Sequence, residues 1–369
     1  MNNKKTDREM IANRQLVFII VQTTVGTGIL SLPRQISLVS RQDSWAAILL
    51  GGSYWVFSLF FIYKLGSQFP EQTIIEYSEI ILGSILGKII SLVYMTYSII
   101  ITALSVRVFV MVITTYILPK TPVFINLSLI IITCLYLISK GLKTIARLDE
   151  FLFFLLAPAY LVMIPTILKS NWWHFKPVLG TGVTEIFSGS LTTTYSFLGP
   201  EIILLIFPYI KEKKNILNSS LIGLGTIILT YLYVVIITLG YFGVETIQYI
   251  LWPTINLLKA IKIPFFGRLE FFLIFLWIAI AFTSVASFYY MASYSATKLF
   301  YLKNKVLGGI ILLPIIYYLF FIPENIIEVF EYTERAAEYG TILIFIIPPL
   351  LFLITKLRGL GHEDQTNNS

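Results

Sequence analysis

Two polar segments interrupt long apolar stretches of this chain, and they hold the residues best suited to bind a small ligand. The first is residues 22–30 (QTTVGTGIL) and the second is residues 188–201 (SGSLTTTYSFLGPE). Gly26 and Gly28 lower the cost of unwinding a helix, and Pro200 removes a backbone donor and clashes with the preceding turn. We therefore predict that both segments lie in broken helices.

The ends of broken helices carry partial charges of opposite sign, and this suggests the chemistry of the ligand. A helix that resumes after Gly26 presents the amides of residues 27–29 at a positive N-terminus, which suits a carboxylate. A helix that ends near residues 196–198 presents carbonyl oxygens, which suit an ammonium group. An anion site beside a cation site describes an α-amino acid, with Phe197 and Leu198 setting the size of the pocket.

Each segment taken alone also has a simpler interpretation. Gly26 and Gly28 could be glycines at a close helix contact and Pro200 a plain kink, because glycine and proline are common in membrane helices. Interrupted helices at matching positions of two inverted halves, however, are the best sequence indication of a transporter binding site. The pair of segments therefore favours a cavity-lining role.

Charged side chains inside apolar stretches are further candidates. Glu201 follows the second break, and it is either a proton or cation site or a carboxylate satisfied by the freed amides of the broken helix. Arg107 lies in the third apolar stretch, where a direct pair with Glu201 is an option but not a requirement. Pro200 and Arg34 complete the candidates for ion binding or gating.

Composition identifies the environment in which these elements fold. Hydrophobic residues make up 57% of the 369 residues and charged residues only 13%, against about 25% charged in soluble domains. Apolar runs of about 18 residues or more, the length that a bilayer requires, recur along the chain. The sequence therefore predicts an all-α polytopic membrane protein.

Other classes of protein lack the residues that they would need. His174 and His362 are far apart, Cys134 is the only cysteine, and no metal-binding, phosphate-binding or nucleophile motif is present. We therefore expect no cofactor, no metal and no enzyme activity, a membrane acyltransferase included. Lys and Arg lie between the apolar stretches rather than in one patch, so the net charge of +7 does not indicate a nucleic-acid partner.

Ten apolar stretches are predicted to span the membrane. They are 14–38, 45–65, 89–118, 122–139, 148–168, 183–208, 218–242, 270–299, 306–322 and 339–356. Lys and Arg are more frequent in the loops on the side of the N-terminus, which places both termini in the cytoplasm. An even number of spans satisfies this arrangement.

The predicted organisation is a single permease-like domain, residues 14–356, built as a five-plus-five inverted repeat. Its halves are residues 14–168 and 183–356, and each half begins with a broken helix, which makes these helices 1 and 6. Cytoplasmic tails of residues 1–13 and 357–369 flank the domain.

Three connecting segments are predicted to be structured. Residues 71–82 should form a helix along the inner interface. The outer loop 244–267 is interrupted at residues 252–254, and it either dips into a vestibule or lies at the interface. In the outer loop 323–338, five glutamates are spaced to share one face of a helix, as a stripe that attracts cations or as a solvated face.

The sequence resembles the endospore germination permease family, the B subunits of nutrient germinant receptors, within the amino acid–polyamine–organocation superfamily. The resemblance extends from Gln15 to Lys356. Its motifs are VGTGILSLPR at 25–34, KPVLG at 176–180, SFLGPE at 196–201, FP at 207–208 and LWPTI at 251–255.

The resemblance implies a receptor subunit in the inner membrane of a dormant spore. Such a subunit is surrounded by membrane lipid, binds an amino acid or similar nutrient and works with an A subunit and a lipoprotein C subunit. Its triggering leads to ion release. An ion-coupled amino-acid permease is the alternative function, and the two share a fold and a site, so the pocket cannot separate them.

By the same resemblance, ligand contacts fall on both breaks and on the third and eighth spans. With the helix-end argument, the predicted ligand-binding residues are Val25, Gly26, Thr27, Gly28, Ile29, Tyr97, Ser196, Phe197, Leu198, Gly199, Ser284 and Phe288. Considered as residues alone, Tyr97 and Phe288 are more often plain packing residues. Some family members carry an acidic residue where this chain has Ser105, which puts an ion path through the third span in doubt.

Overall fold

A computed structural model describes residues 9–261 and 269–360 of the chain. The α-helices begin with α1 (Asn13–Thr24), α2 (Gly28–Ser40), α3 (Ser44–Gln68), α4 (Ile74–Leu82), α5 (Ser84–Tyr116), α6 (Val123–Lys140), α7 (Leu142–Val162) and α8 (Ile164–Ile167). They continue with α9 (Val183–Thr192), α10 (Thr194–Phe197), α11 (Ile203–Ile206), α12 (Ile216–Phe242), α13 (Val244–Ile247), α14 (Pro253–Ala260), α15 (Leu269–Leu299), α16 (Lys305–Phe321) and α17 (Ile326–Arg358).

The architecture confirms the predicted all-α membrane fold with two broken helices. Within the described ranges, seven helical segments are long and apolar enough to cross a membrane by length and composition. The apolar segments Pro200–Tyr209 and Lys305–Phe321 are shorter than these seven. The count of ten spans therefore stays a prediction, as do the boundaries of the two halves.

The connecting helix α4 forms where the sequence predicts it. The backbone amide of Thr73 donates to Oε2 of Glu76 at 2.8 Å, and this capping box starts the helix at Ile74. Ile74, Ser78 and Ile81 share one face of this helix and are buried.

The last helix corrects two predictions. The sequence predicts a helical segment in an outer loop at residues 323–338 and a separate final span that starts at residue 339, but α17 is one continuous helix from Ile326 to Arg358. The side chain of Asn325 caps it by accepting from the amides of Ile327 (3.0 Å) and Glu328 (3.1 Å). Hydropathy reports contact with lipid rather than the start of a helix, so it misses the polar first turns.

The five glutamates consequently do not all share one helix face. Glu324 precedes α17, and its backbone amide donates to Oε2 of Glu328 at 2.9 Å. The other four lie on α17, and Glu331, Glu334 and Glu338 are exposed. These positions match the solvated face of the prediction rather than a buried acidic stripe.

Both ends of the described chain lie at one end of the bundle. Ile11 pairs with the segment after the second break, since its amide donates to the carbonyl of Tyr209 at 2.9 Å. Arg358 donates to the carbonyl of Ile81, at the end of α4. The side of the membrane on which this end lies stays a prediction, and residues 1–8 and 361–369 of the two predicted tails lie outside the described residues.

The segment between α12 and α15 covers the opposite end of the bundle. The Nε of Arg34 donates to the carbonyl of Gln248 at 2.9 Å, and the side chain of Gln248 donates to the carbonyl of Ser37 at 3.1 Å. Thr254 on α14 donates to the carbonyl of Ile29 at 2.8 Å. Helix α14 is therefore packed into the bundle against α2, which favours the first of the two predicted interpretations. Residues 262–267 of this loop lie outside the described residues.

Candidate functional site

The first break is the short unwound segment between α1 and α2. Helix α1 ends at Thr24, Val25 leaves helical geometry with ψ at 69°, and α2 resumes at Gly28. The amide of Gly26 turns back to the carbonyl of Thr24 at 2.8 Å instead of continuing the helix. The predicted interruption is therefore observed.

The second break separates α10 from α11. Leu198 is extended with ψ at 139°, Gly199 has φ at 141°, and a 3₁₀ turn follows at Pro200–Ile202. Only glycine adopts this φ without strain. A side chain at Gly199 would also meet the α1 backbone, because its Cβ would lie 2.8 Å from the amide nitrogen of Thr24. The two breaks are thus in direct contact.

Both glycines of the first break lie at close approaches to other helices. A Cβ at Gly26 would lie 2.8 Å from the Cβ of Ser284 on α15, and a Cβ at Gly28 would lie 2.8 Å from the Oγ of Ser196 on α10. Close packing and helix interruption therefore coincide at these positions. The two interpretations offered by the sequence are not exclusive.

Helix α15 is joined to the first break by two hydrogen bonds. The hydroxyl of Ser284 donates to the carbonyl of Thr23 at 2.8 Å. The indole Nε1 of Trp277 donates to the carbonyl of Gly26 at 3.2 Å. Of the two positions predicted on this helix, Ser284 is thus bonded to α1, and Phe288 lies one helical turn further along.

A small cavity lies where the breaks meet. It is lined by Thr23, Thr24, Gly26, Thr27, Gly28, Ile101, Ser105, Tyr195, Leu198, Ser284 and Phe288. Six of the predicted ligand-binding residues are among them, and Ser105 lines it as well. Its volume of about 10 Å³ is about that needed for one water molecule. The structure is therefore a closed conformation, in which an amino acid does not fit.

Unused hydrogen-bond donors lie in and beside the cavity, at the end where the sequence predicts that an anion binds. In the described ranges, the first-turn amides of α2 at Gly28 and Ile29 donate to no backbone carbonyl. The hydroxyl of Ser196 is buried and has no hydrogen-bond partner among the described residues. Thr27 bonds through its hydroxyl to the hydroxyl of Tyr195 at 3.1 Å. These groups could receive a carboxylate once the cavity opens.

The carbonyl end is already occupied by a tyrosine that sequence reasoning missed. The hydroxyl of Tyr231 on α12 lies between the carbonyl oxygens of Thr24, at 3.1 Å, and Ser196. It can therefore satisfy the last carbonyls of either half-helix. Tyr231 lies in an apolar run with other tyrosines, and nothing in the sequence distinguishes it from them.

Glu201 and Tyr97 form a pair beside the second break. The carboxylate of Glu201 is fully buried, accepting from the Tyr97 hydroxyl at 2.6 Å and from the amide of Gly199 at 2.7 Å. Tyr97 is thus the partner of Glu201 and does not line the cavity; it borders an apolar groove of about 620 Å³ between α5, α16 and α17. The amide of the broken helix satisfies Glu201, as one of the two sequence interpretations expects.

The remaining predicted residues lie around the site. Arg107 does not pair with Glu201, since its guanidinium donates to the carbonyl of Pro323 at 2.8 Å and lies 5.0 Å from the ring centre of Phe320. Arg34 donates to the carbonyl of Gln248 and so contacts the segment between α12 and α15.

Three apolar candidates around the breaks, Val25, Ile29 and Phe197, lie beside the cavity rather than in it, whereas Leu198 lines it. Val25 and Ile29 line a separate apolar cavity of about 70 Å³ that also includes Trp277. Phe197 packs edge-on against Tyr231, with ring centres 5.2 Å apart. Phe197 therefore supports the break instead of setting the size of the pocket in this conformation.

Broken helices that meet inside a membrane bundle define the fold of a class of secondary transporters. Two solved structures share it. One is MhsT in complex with L-phenylalanine, with a TM-score of 0.64 and 13% identity over 93% of this chain and 97% of that one. The other is Mhp1, a nucleobase-cation-symport-1 family transporter, with a TM-score of 0.60 and 12% identity over 98% and 96%. At these identities the likeness concerns the fold alone.

Sequence comparison identifies the particular family. The pattern of the spore germination protein family matches residues 10–329. Spore germination protein YndE of Bacillus subtilis (strain 168) is 32% identical over 362 residues, which cover 96% of this chain and 98% of the relative. Spore germination protein A2 of the same organism is 26% identical over 350 residues, covering 93% and 95%. The chain belongs to the spore germination permease family, and the resemblance seen in its motifs is confirmed.

Proposed function

We propose that this chain is the nutrient-binding, transporter-like subunit of a germinant receptor in the spore inner membrane. It binds an amino acid or similar small nutrient between its two helix breaks and triggers germination through ion movement. Both termini face the cytoplasm, and A and C subunits complete the receptor. The observation that carries the proposal is the meeting of both breaks around one polar cavity.

The chemistry of the cavity supports an amino acid. The free amides of Gly28 and Ile29 and the unpaired hydroxyl of Ser196 are donors that suit a carboxylate. The carbonyls of Thr24 and Ser196 suit an ammonium group in place of the Tyr231 hydroxyl. One solved structure of the same fold contains L-phenylalanine.

Ligand binding requires the site to open, because the cavity holds about one water molecule. A ligand that binds only the open state shifts the population toward it. Opening must separate elements that now touch, such as Gly28 from Ser196. Such a change is also a means of signalling to partner subunits.

Ligand-dependent thermal stability across the common amino acids tests the proposal. The receptor is purified with its A and C subunits, and a ligand at 100 times its dissociation constant should stabilise the bound state by about 2.7 kcal/mol. Gly28→Ala should abolish the shift, because the new methyl group would occupy the space beside Ser196 that the carboxylate of the ligand enters when the site opens.

Gly225→Ala is the matched control, since a Cβ at Gly225 meets nothing within 4 Å. It should retain the full response. A ligand response that survives in Gly28→Ala, or the lack of any response in the assembled receptor, would contradict the proposal.

An ion-coupled amino-acid permease is the second candidate, and one solved structure of the same fold is a nucleobase-cation-symport-1 family transporter. Vesicles that contain this chain alone distinguish the two. Accumulation of a labelled amino acid, driven by an ion gradient, supports the permease. A ligand-dependent thermal shift that requires the partner subunits supports the receptor.

A further inference from the structure

A long apolar groove lies on the side of the bundle between α5, α16 and α17, away from the small cavity at the breaks. Its volume is about 620 Å³, roughly twenty times the share of one water molecule in the liquid. Along α5 its wall extends from Leu92 to Leu104, which corresponds to about 18 Å of helix. Ile342, which is 52% exposed, lines it on α17. Because empty space forfeits dispersion contacts, a groove of this size is filled in a membrane.

One end of the groove carries a basic side chain. Helices α5 and α17 are antiparallel, because Arg358 at the end of α17 donates to the carbonyl of Ile81, just before α5 begins. Leu104, Pro323 and Arg335 therefore lie at the same end of the groove, toward the segment between α12 and α15. Arg335 is exposed and forms no hydrogen bond or ion pair with the described residues. Its N–H donors are thus available to an oxygen ligand.

A second guanidinium lies beside this end of the groove. Arg107 follows Leu104 by three residues on α5, and it donates to the carbonyl of Pro323, which lines the groove. The Nε of Arg107 is buried and has no hydrogen-bond partner within the described ranges. Two guanidiniums with unused donors at one end of an apolar groove suit an amphiphile, with its anionic group at the arginines and its hydrocarbon chain in the groove.

Neighbouring carboxylates decide which amphiphile fits. Glu331 and Glu338 lie about one helical turn on either side of Arg335, and neither forms an ion pair with it in the part of the chain that the structure describes. Glu334, between them, interacts with Arg34 of α2. A ligand with negative charge alone would be repelled by Glu331 and Glu338. The local charges therefore complement a headgroup that carries both signs.

We propose that this groove binds one phospholipid of the phosphatidylethanolamine type. One acyl chain lies along α5, the phosphate binds Arg335, and the primary ammonium pairs with Glu331 or Glu338. Arginine forms strong paired hydrogen bonds with phosphate, and the groove is about as long as one leaflet of the hydrocarbon core is thick, about 15 Å. A transmembrane helix fits less well. A helix segment about 18 Å long and 10 Å across occupies roughly 1,400 Å³, more than twice the volume of the groove.

A lipid in this groove contacts a residue that supports the second break. Tyr97 lines the groove, and its hydroxyl donates to Glu201 at 2.6 Å. Helix α17 packs closely against the same ring, since a Cβ at Gly340 would lie 2.6 Å from Cε2 of Tyr97 and 3.2 Å from Cδ2 of Leu198. The bound acyl chain therefore stabilises the wall that holds the break. Lipid binding itself does not depend on the proposed nutrient site.

Retention of lipid by the full chain tests the proposal. The chain is purified in detergent and titrated with phosphatidylethanolamine or phosphatidylglycerol, and native mass spectrometry counts the bound molecules. One phosphatidylethanolamine should bind saturably and several-fold more tightly than phosphatidylglycerol, which carries a net negative charge. The double variant Glu331→Gln, Glu338→Gln removes the two carboxylates and should reverse this preference.

Two further variants have matched controls. Ile342→Trp fills the groove and should abolish saturable binding, whereas Ile346→Trp, one turn further along α17, should retain it, because Ile346 is 54% exposed but does not line the groove. Arg335→Gln should weaken binding about tenfold, because a hydrogen bond to a charged phosphate is lost. Lys120→Gln removes an exposed charge from the loop after α5 and should leave binding unchanged.

A photoreactive phenylalanine analogue in place of Ile342 identifies the occupant in native membranes. A crosslink to phosphatidylethanolamine supports the site, and a crosslink to a partner protein instead would overturn it. The proposal also fails if Ile342→Trp retains as much lipid as Ile346→Trp, if Arg335→Gln binds as tightly as the unaltered chain, or if phosphatidylglycerol is preferred.

Discussion

At the scale of single residues, the site depends on positions where the backbone leaves no room for a side chain. Gly199 combines a positive φ of 141° with contact against Thr24, and Gly28 faces Ser196. Polar residues nearby form specific hydrogen bonds; the carboxylate of Glu201, for example, accepts from Tyr97 and from the amide of Gly199. Substitutions at these residues should therefore affect both stability and ligand response. Comparing the two losses for each residue separates a packing role from a binding role.

Gly199→Ala should be strongly destabilising. The strained φ alone should cost about 1–3 kcal/mol, and the contact with Thr24 adds to it. Gly225→Ala, in the interior of α12, should leave stability unchanged or slightly raised. Thermal unfolding of both variants measures the difference. If membrane insertion falls as much as ligand response in Gly199→Ala or Gly26→Ala, these glycines serve packing alone.

Tyr97→Phe should destabilise the chain by about 1–3 kcal/mol, because it leaves the buried Glu201 carboxylate without one of its two donors. A double-mutant cycle with Glu201→Gln measures the coupling, which should clearly exceed zero. The same cycle with Tyr289→Phe in place of Tyr97→Phe is the comparison, because the Tyr289 hydroxyl donates to the carbonyl of Gly309 and not to Glu201. Additive effects of Tyr97→Phe and Glu201→Gln would show that the bond contributes nothing.

At the scale of elements, residues at or near the helix ends fix the positions of the helices around the site. Helix α17 starts at its Asn325 cap and runs without interruption through the acidic segment to Arg358. Helix α14 is fixed to α2 through Thr254 and the carbonyl of Ile29, directly after the first break. A movement of α2 would therefore be transmitted to the segment between α12 and α15.

Asn325→Ala should lower stability by about 1 kcal/mol, because two amides of the first turn of α17 lose their acceptor. Asn325→Asp keeps an acceptor at the same position and should behave like the unaltered chain. Thermal unfolding distinguishes them, and hydrogen exchange at residues 326–330 localises the effect. Equal stability of the alanine and aspartate variants would mean that the cap has no influence.

At the scale of the whole molecule, the closed cavity implies a second conformation. The breaks meet around a space for about one water molecule, so under the proposed function the described state is one without ligand, before binding or after release. The shared fold of the two solved transporters concerns the bundle and not the state of its gate. The accessibility of cavity residues should therefore change with ligand.

Ser284→Cys should react slowly with a water-soluble thiol reagent in the resting chain, because Ser284 is only 4% exposed. Cys134 is fully buried and should contribute little background. Ligand should change the labelling rate by opening the site or closing it further. Labelling as fast as that of an exposed position, without ligand, would show that the closed state is not the resting state.

The sequence by itself determined the membrane fold and the two breaks. Both follow from local chemistry: apolar runs must lie in lipid, and Gly26, Gly28, Gly199 and Pro200 weaken a helix wherever it packs. The sequence, partly through the family motifs, also assigned to one site six residues that line the same cavity in the structure: Gly26, Thr27, Gly28, Leu198, Ser284 and Phe288. That these residues bind ligand stays a prediction.

Only the tertiary structure decided which groups pair. Tyr97 meets Glu201, and Tyr231 meets the carbonyls of both breaks, across separations of many helical turns. Tyrosines in apolar runs look alike in sequence, and their partners depend on how the helices pack. Helix α7 starts at Leu142, six residues before the boundary that hydropathy predicts. Hydropathy records only the preference for lipid, so neither the pairing nor the closed cavity could be deduced from it.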